Sequence, residues 1–199
     1  DAIFVVANEF FDALPIKQFV RTDDGWHERP VGLIDGKRAL GLSPTPISES
    51  AAPAEVRGAY SGEILELSPA AVDTMQRLAK KVALQGGAIL ALDYGYASTQ
   101  TGETLQAVKS HAFADVLDEP GDADVSAHVN FGVLGDAARA DGLAVPPIVN
   151  QGDFLIRLGL GERAKALAQA NPKEAANIAR AIERLTSPQQ MGSLFKVFC

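Results

Sequence analysis

Cysteine, histidine and basic residues are scarce in this sequence, and each shortage excludes a class of protein. The single cysteine, Cys199, leaves no intramolecular disulfide, so the chain does not need an oxidising compartment. The three histidines lie far from one another and from that cysteine, so no metal-ligand spacing is present. With 18 basic and 25 acidic residues the formal net charge is −7, and an acidic surface disfavours a nucleic-acid partner.

Long apolar runs and glycine-rich loops are also lacking. No apolar run approaches the length of a membrane span. Neither G-x-G-x-x-G nor G-x-x-x-x-G-K-S/T lies between a predicted strand and a predicted helix, so no phosphate- or nucleotide-binding loop is identified. The first residues have no basic segment of the kind that begins a signal peptide. We therefore expect no membrane span and no targeting segment in the chain.

The segments that are present predict one α/β domain. The chain has 199 residues, 47% of them hydrophobic, which is enough to bury one sizeable core. Ile3 to Ala7 and Ala88 to Leu92 are short, continuous apolar runs, typical of strands buried on both faces of a parallel sheet. Between them, Ser68 can cap a helix that Gly86 ends. This order predicts a βαβ unit.

Other elements are predicted around this unit. Asp-Gly turn signals separate short β segments, which predicts a β meander inserted at about residues 16–66; the segments are Lys17 to Thr22, Trp26 to Leu33 and Ala39 to Leu42. Residues 98–124 have few periodic features and are predicted as a long loop. The remaining predicted elements are a helix capped by Asn130 and reaching about Ala140, an edge strand over residues 145–149, a helical insertion at about residues 152–187, and a final strand from Leu194 to Phe198.

Two polar segments follow the predicted parallel strands. Asn8-Glu9-Phe10-Phe11-Asp12 comes directly after the first strand, and Asp93-Tyr94-Gly95 follows the second. Ligands of open α/β sheets bind outside the carboxyl ends of the strands, so both segments are predicted to border one site. Three alternatives stay open: Asn8 or Asp12 caps a short helix, both phenylalanines belong to the core, and Asp93 stands in a turn.

The segment from Asn8 to Pro15, N-E-F-F-D-A-L-P, resembles the signature loop of the MidA family. This family of S-adenosylmethionine-dependent methyltransferase-like proteins includes bacterial members and the arginine methyltransferase of mitochondrial complex I assembly. The similarity is collinear over essentially the whole chain. Further matching segments are Gly62-Glu63-Ile64, Ser68-Pro69, Gly87 to Tyr94, Thr104-Leu105-Gln106, His111, Pro120-Gly121, Asp124, Ala127 to Phe131, Gln151-Gly152, Phe154-Leu155, Leu158-Gly159, Met191-Gly192 and Phe195-Lys196-Val197.

The resemblance implies a class I methyltransferase fold, a mostly parallel Rossmann-like sheet of seven strands with an antiparallel C-terminal strand. Residues 1–199 would form its C-terminal half, from the fourth strand onward, with the β meander and the extra C-terminal helices added. The implied cofactor is S-adenosylmethionine, and its glycine-rich loop and ribose-binding acid are expected upstream of Asp1. The implied location is the cytoplasm of a bacterium or the mitochondrial matrix of a eukaryote.

The resemblance also implies methyl transfer to an arginine guanidinium in a protein substrate, with a respiratory complex I subunit as one candidate. Carboxylates bind guanidinium through paired, charge-assisted hydrogen bonds, so Glu9 and Asp12 are the predicted catalytic residues. His128 is the predicted general base because histidine titrates near neutral pH.

Five further residues are predicted to bind substrate, and several polar residues are given structural roles instead. The predicted substrate-binding residues are Asn8, Phe10, Phe11, Asp93 and Tyr94. His111 is a weaker candidate base, and either histidine could equally be a hydrogen-bonded structural residue. Glu66 is expected on a solvated strand face, and His27 on the surface. Two other functions stay open: methylation of another substrate, and a non-catalytic assembly factor or binding module of the same fold.

Overall fold

The computed structural model of the chain describes residues 1–118 and 121–199, so Glu119 and Pro120, the latter part of the family resemblance, lie outside the described residues. The strands in this part of the chain are β1 (Ile3–Asn8), β2 (Lys17–Thr22), β3 (Gly25–Glu28), β4 (Val31–Ile34), β5 (Lys37–Leu40), β6 (Ile64–Leu67), β7 (Gly87–Tyr96), β8 (Gln106–Lys109), β9 (Ala112–Ala114), β10 (Asp124–Ser126), β11 (Val129–Asn130), β12 (Val149–Asn150) and β13 (Phe195–Phe198). The α-helices are α1 (Pro69–Gln85), α2 (Phe131–Ala140), α3 (Gln151–Arg157), α4 (Leu160–Ala170), α5 (Ala175–Thr186) and α6 (Met191–Leu194).

Strand β7 is the centre of the main sheet. β1 lies parallel to it along its whole length, from the pair Ile3 and Gly87 to the pair Asn8 and Leu92. β11 is also parallel to β7, whereas β13 is antiparallel to it and β12 is antiparallel to β13. The parallel pair is the arrangement that the two apolar runs predict, and the antiparallel C-terminal strand is the one that the family resemblance implies.

The helices that connect these strands begin where the sequence indicates. The Ser68 hydroxyl accepts a hydrogen bond from the backbone N–H of Ala71 at the start of α1, and Gly86 ends that helix with a φ of 76°. The Asn130 side chain accepts from the N–H of Val133 at the start of α2. Both predicted caps are confirmed, and both helices pack their apolar faces on the main sheet.

The prediction that β1 is buried on both faces is wrong. Phe4 is 77% exposed and Val6 is 71% exposed, whereas Ile3 and Val5 pack against the core beneath α1. A continuous apolar run does not reveal how many faces are covered. Here, the residues that the structure describes cover one face of β1.

The region predicted as one meander forms two separate sheets. β2 pairs with β3 on one side and with β6 on the other, while β4 and β5 form their own hairpin. The predicted strand from Lys17 to Thr22 is confirmed, but the one expected from Trp26 to Leu33 is interrupted at Pro30, which has no N–H for a central strand. The sheet of β2, β3 and β6 has its own core around the fully buried Trp26 and Leu65.

His27 lies on β3, in the sheet of β2, β3 and β6. Its predicted position on the surface is wrong because the side chain is buried. Its Nδ1 lies 2.7 Å from the backbone oxygen of Ser43, and its Nε2 lies 3.0 Å from Asp24 Oδ1. Both partners are acceptors, so both ring nitrogens donate when the imidazole is protonated. The Ser43 carbonyl and then the Asp24 carboxylate raise the pKa of His27, since both favour the cationic ring.

The segment predicted as a long loop contains a β-hairpin. β8 pairs antiparallel with β9 and with β10. The hairpin turns at Ser110 and His111, which have φ values of 51° and 65°, the two left-handed positions of a tight hairpin turn. The strands of this segment are short, and their apolar and polar residues alternate only weakly, so the sequence shows no clear periodicity there.

The C-terminal region is helical before the last strand. α3, α4 and α5 occupy the predicted helical insertion, and α6 leads directly into β13. The edge strand expected over residues 145–149 is reduced to β12, because Pro146 and Pro147 precede it without N–H donors. Along the ranges 1–118 and 121–199, every helix is too short or too polar to cross a membrane.

Gly95 is required where β11 approaches β7. A Cβ added there would overlap the backbone of Val129, including its carbonyl oxygen. We therefore expect Gly95→Ala to lower the free energy of unfolding by about 1–3 kcal/mol, the usual cost of forcing atoms into a packed region. Urea unfolding monitored by circular dichroism measures it. Gly102→Ala is the control, because nothing lies within 4 Å of a Cβ at that position.

Candidate functional site

A buried carboxylate on β7 fixes the acidic loop at residues 8–12. Asp93 Oδ2 accepts hydrogen bonds from the backbone N–H groups of Phe10, Phe11 and Asp12, at 3.1, 3.0 and 3.2 Å. Its other oxygen accepts from the N–H of Tyr94 at 3.0 Å. Three N–H groups of the loop bound to one carboxylate oxygen hold the loop in a single shape, since a buried N–H without a partner is costly.

Asp93 and Tyr94 lie within β7, so the alternative that they form a turn is wrong. Asp93 is 1% exposed and lies beneath the loop, whereas the sequence prediction placed it toward a substrate. Burial, followed by the nearby charge of Asp12, raises the pKa of Asp93 to about 7. The backbone N–H groups favour the ionised carboxylate but do not fully offset burial.

Asp12 is held from the opposite side by Tyr94. The Tyr94 hydroxyl donates to Asp12 Oδ2 in a short hydrogen bond, and burial together with this bond raises the pKa of Tyr94, so the hydroxyl stays a donor. The other oxygen, Asp12 Oδ1, is buried and has no hydrogen-bond partner among the described residues. A buried acceptor without a donor is costly, so this atom marks a place for one.

Glu9 and Asn8 lie at the exposed rim of the loop. Glu9 has a φ of 48°, a left-handed conformation that is rare for glutamate, and its N–H donates to the backbone oxygen of Leu92 at 2.9 Å. Both side chains are exposed and do not join the hydrogen bonds around Asp12. Residues 9–15 form turns and no helix, so the helix-cap alternative for Asn8 and Asp12 is wrong.

The two phenylalanines of the loop have different environments. Phe11 is buried in the main core, while Phe10 is 45% exposed beside the rim. Their rings meet edge to face with centroids 5.2 Å apart. Phe11 therefore anchors the loop in the core, and Phe10 remains accessible to a ligand.

His128 approaches the site through Tyr94. Its ring contacts the Tyr94 ring edge to face, with centroids 5.5 Å apart, and its backbone N–H donates to the Thr104 hydroxyl at 2.9 Å. Burial lowers the pKa of His128, so the imidazole is neutral near pH 7 and able to take up a proton. The other candidate, His111, lies at the exposed tip of the β8–β9 hairpin.

The prediction that Glu66 lies on a solvated strand face is wrong, and sequence reasoning missed its role. Glu66 is buried and accepts hydrogen bonds from the side chain of Gln18, from the N–H groups of Thr104 and Leu105, and from the Thr104 hydroxyl. It therefore fastens β6 to the segment that positions His128. The signal was present in the sequence, because apolar residues stand on both sides of this carboxylate in Ile64-Leu65-Glu66-Leu67.

Two cavities lie beside these residues. The acid pocket has a volume of about 250 Å³ and is lined by Asp12, Leu14, Ile16, Leu105, Ser126 and Ala127. The side pocket has a volume of about 400 Å³, and its lining includes Phe11, Glu66, Val72, Tyr96, His128 and Val133. Ile16 and Ala127 line both cavities, so the two are neighbours.

Helices α1 and α2, which follow β6 and β11, have N-terminal N–H groups that are already capped, unlike the free N–H groups that bind a nucleotide phosphate. α1 and α2 begin after Ser68 and Asn130, whose side chains already bind N-terminal N–H groups, and no glycine-rich loop precedes either helix. Groups of three or more His, Cys, Asp or Glu side chains placed to hold a metal are not found in the described part of the chain.

Comparison with known proteins decides the family. Residues 1–149 match the family of S-adenosyl-L-methionine-dependent methyltransferases. The chain belongs to this family. The resemblance noticed in the sequence is thereby confirmed.

The curated relatives are named as one protein in several animals. The mitochondrial protein arginine methyltransferase NDUFAF7 of Danio rerio is 35% identical over 197 residues, which cover 97% of this chain and 46% of the relative. The Homo sapiens protein of the same name is 33% identical over 202 residues, covering 98% of this chain and 44% of the relative. The chain thus spans about half the length of the curated relatives it matches.

Solved structures confirm the α/β fold. A protein from Burkholderia thailandensis, crystallised with S-adenosyl-homocysteine, superposes with a TM-score of 0.86 and 27% identity, covering 100% of this chain and 53% of that one. A second crystal structure from the same organism gives the same TM-score and identity and covers 55% of its chain.

Proposed function

We propose that this chain forms the acceptor side of an S-adenosylmethionine-dependent methyltransferase that methylates arginine in a protein. The observation that supports this most is the buried oxygen Asp12 Oδ1, which lacks a donor among the described residues while Tyr94 and the loop fix the rest of the carboxylate. A guanidinium supplies several N–H donors in a planar fork, which suits a fixed carboxylate.

The proposed chemistry assigns a separate role to each residue. Asp12 binds two guanidinium N–H groups and aims the third nitrogen at the methyl donor. Glu9, at the rim, adds a second carboxylate that attracts the cation. When the nitrogen gains a methyl group it loses one proton, and neutral His128 is the proposed acceptor of that proton.

Two residues of the predicted set hold this arrangement in place. Asp93 fixes the backbone of the loop, and Tyr94 fixes Asp12 and contacts His128. Phe10 and Asn8, both exposed beside the loop, are proposed to contact the substrate around the target arginine.

The relatives support the substrate class. Those named above are protein arginine methyltransferases, and both are mitochondrial. We therefore propose a protein substrate with a target arginine, with a complex I subunit as one candidate. The mitochondrial matrix is the proposed location in a eukaryote, and the cytoplasm in a bacterium. S-adenosylmethionine would supply the methyl group, and we expect its main contacts to lie upstream of Asp1.

The test uses the full-length protein, labelled S-adenosylmethionine and paired peptides that differ only in arginine or lysine. We expect label in the arginine peptide and at least about a tenfold lower kcat/KM for Glu9→Gln, because the second carboxylate is lost. Glu183→Gln, an exposed glutamate on α5, is the matched control. Near-normal transfer by Glu9→Gln would remove Glu9 from the site.

Two other results would overturn the proposed substrate. Label in DNA or a small metabolite, with none in arginine, would indicate a methyltransferase for another substrate. If the full-length protein bound S-adenosylmethionine but labelled no acceptor, the function would be that of a non-catalytic assembly factor or binding module.

A further inference from the structure

The side pocket beside the acidic loop is deep and mostly apolar. Its floor is formed by buried residues such as Phe11, Ala71 and Leu134, and its rim by exposed residues such as Pro69 and Asp73. A volume of about 400 Å³ is large enough for a bulky side chain and lies within the range of small-molecule sites. Of the roles proposed above, only the proton uptake by His128 involves a residue of this cavity.

Two polar groups on rings of the side pocket lack hydrogen-bond partners among the described residues. Neither the Tyr96 hydroxyl nor the ring nitrogens of His128 make a hydrogen bond to another described residue. Glu66, which also lines the pocket, differs because four donors satisfy its carboxylate. The pocket therefore contains the satisfied carboxylate of Glu66, has Asp73 paired with Arg77 at its rim, and offers Tyr96 and His128 as hydrogen-bonding groups to a ligand.

Those two groups are uncharged near pH 7. Burial lowers the pKa of His128, and burial followed by the charge of Glu66 raises the pKa of Tyr96 to about 12. With Phe11, they place three rings around the cavity. Rings attract one another edge to face, so the lining suits an aromatic guest. The charge of Glu66 opposes an anionic one.

The position of the side pocket links it to the acidic loop. Ile16 and Ala127 line both the side pocket and the acid pocket, which contains Asp12. Phe11 of the acidic loop forms part of the floor of the side pocket. A peptide whose arginine reached Asp12 would place an adjacent side chain near the mouth of the side pocket.

We propose that the side pocket binds an uncharged aromatic side chain of the protein substrate, close in sequence to the target arginine. It would act as a specificity site: the aromatic side chain fills the apolar cavity and its hydroxyl, in the case of tyrosine, meets Tyr96 or His128. This inference rests on the proposed function for the identity of the substrate, while the pocket itself can be tested without catalysis.

The first experiment measures binding of side-chain analogues to the full-length protein by NMR of its valine methyl groups. We expect 4-methylphenol to shift the methyl signals of Val72 and Val133, which line the pocket. 4-Methylbenzoate should bind at least about tenfold more weakly because Glu66 repels it. Absence of shifts at both valines, or shifts only elsewhere, would overturn the proposal.

Tyr96→Phe separates the hydroxyl contact from the shape of the cavity. The variant keeps the ring, so we expect toluene to bind as before and 4-methylphenol to bind several-fold more weakly. If both probes bound Tyr96→Phe unchanged and His128→Gln also left 4-methylphenol binding unchanged, the polar part of the proposal would be wrong.

The second experiment compares arginine peptides carrying phenylalanine or alanine at each position near the arginine. We expect one position where phenylalanine lowers KM about tenfold or more with little change in kcat. Val72→Phe fills the pocket and should abolish this preference. Leu84→Phe, exposed on the same helix α1, should keep it.

A second pocket-filling variant and the NMR experiment distinguish failure of the specificity site from failure of the proposed function. Val133→Phe fills the pocket from α2 and replaces Val72→Phe if thermal melting shows that the latter is unfolded. If no arginine peptide is methylated, the proposed function fails, and the NMR experiment still decides whether the side pocket binds an aromatic group. Methylation with no aromatic preference at any position would leave the function intact and overturn the specificity site.

Discussion

Asp12→Asn in the full-length protein is expected to lower kcat for an arginine peptide by about 10²- to 10⁴-fold, the equivalent of losing one or two hydrogen bonds between charged groups. The amide oxygen can still accept from the Tyr94 hydroxyl, while the amide NH₂ would stand where Oδ1 now lies and face the donors of the guanidinium. The measurement is steady-state methyl transfer, with thermal melting to show that the fold is kept.

Asp141→Asn provides a matched control for this substitution. Asp141 also has a buried carboxylate oxygen, Oδ2, without a hydrogen-bond partner among the described residues, but it lies at the end of α2 and lines neither pocket. Its replacement should leave kcat within about twofold. If Asp12→Asn kept more than half of the activity, the carboxylate would not hold the guanidinium.

Asp93→Ala is expected to lower the free energy of unfolding by about 3–5 kcal/mol, because it removes a buried acceptor of four backbone N–H groups. Denaturant unfolding measures this loss. Asp136→Ala, at an exposed residue that pairs with Arg139 on α2, is the control and should cost well under about 1 kcal/mol. A loss for Asp93→Ala no larger than for the control would show that the loop holds its shape without Asp93.

The raised pKa of Asp93 also predicts how stability depends on pH. With a pKa of about 7 in the folded protein against 3.8 ordinarily, the folded state binds more protons than the unfolded state between those values. The contribution of Asp93 to stability is therefore greatest at acidic pH and decreases as the pH rises toward 7.

Comparison with Asp93→Asn isolates this contribution. The stability advantage of the natural protein over the variant should shrink between pH 5 and pH 8, by at most about 3 kcal/mol. Unfolding curves at both values measure it. An advantage that grew with pH would mean that the backbone N–H groups outweigh burial and lower the pKa.

Local signals predicted the helices well. The caps at Ser68 and Asn130 and the stop at Gly86 depend on residues within one turn of the helix end, so the sequence nearby contains all the information. The position of the acidic loop after β1 was likewise predictable, because a single apolar run defines the strand that precedes it.

Long-range partners explain what was not predicted. Glu66 is buried because Thr104, 38 residues away, supplies donors to it, and Asp93 lies beneath a loop that is more than 80 positions earlier. No window of sequence contains both partners. The same holds for His27, whose burial depends on the return of the chain at Ser43.

The left-handed backbone at Glu9 places stability and activity in opposition at one residue. Glycine adopts a φ of 48° without the clash that a Cβ brings, so glutamate is not the residue that the backbone alone would favour there. A screen that selects only for thermal resistance would accept glycine at position 9 and thereby discard a proposed catalytic carboxylate. Engineering for robustness should therefore hold this position fixed while it varies the surface around it.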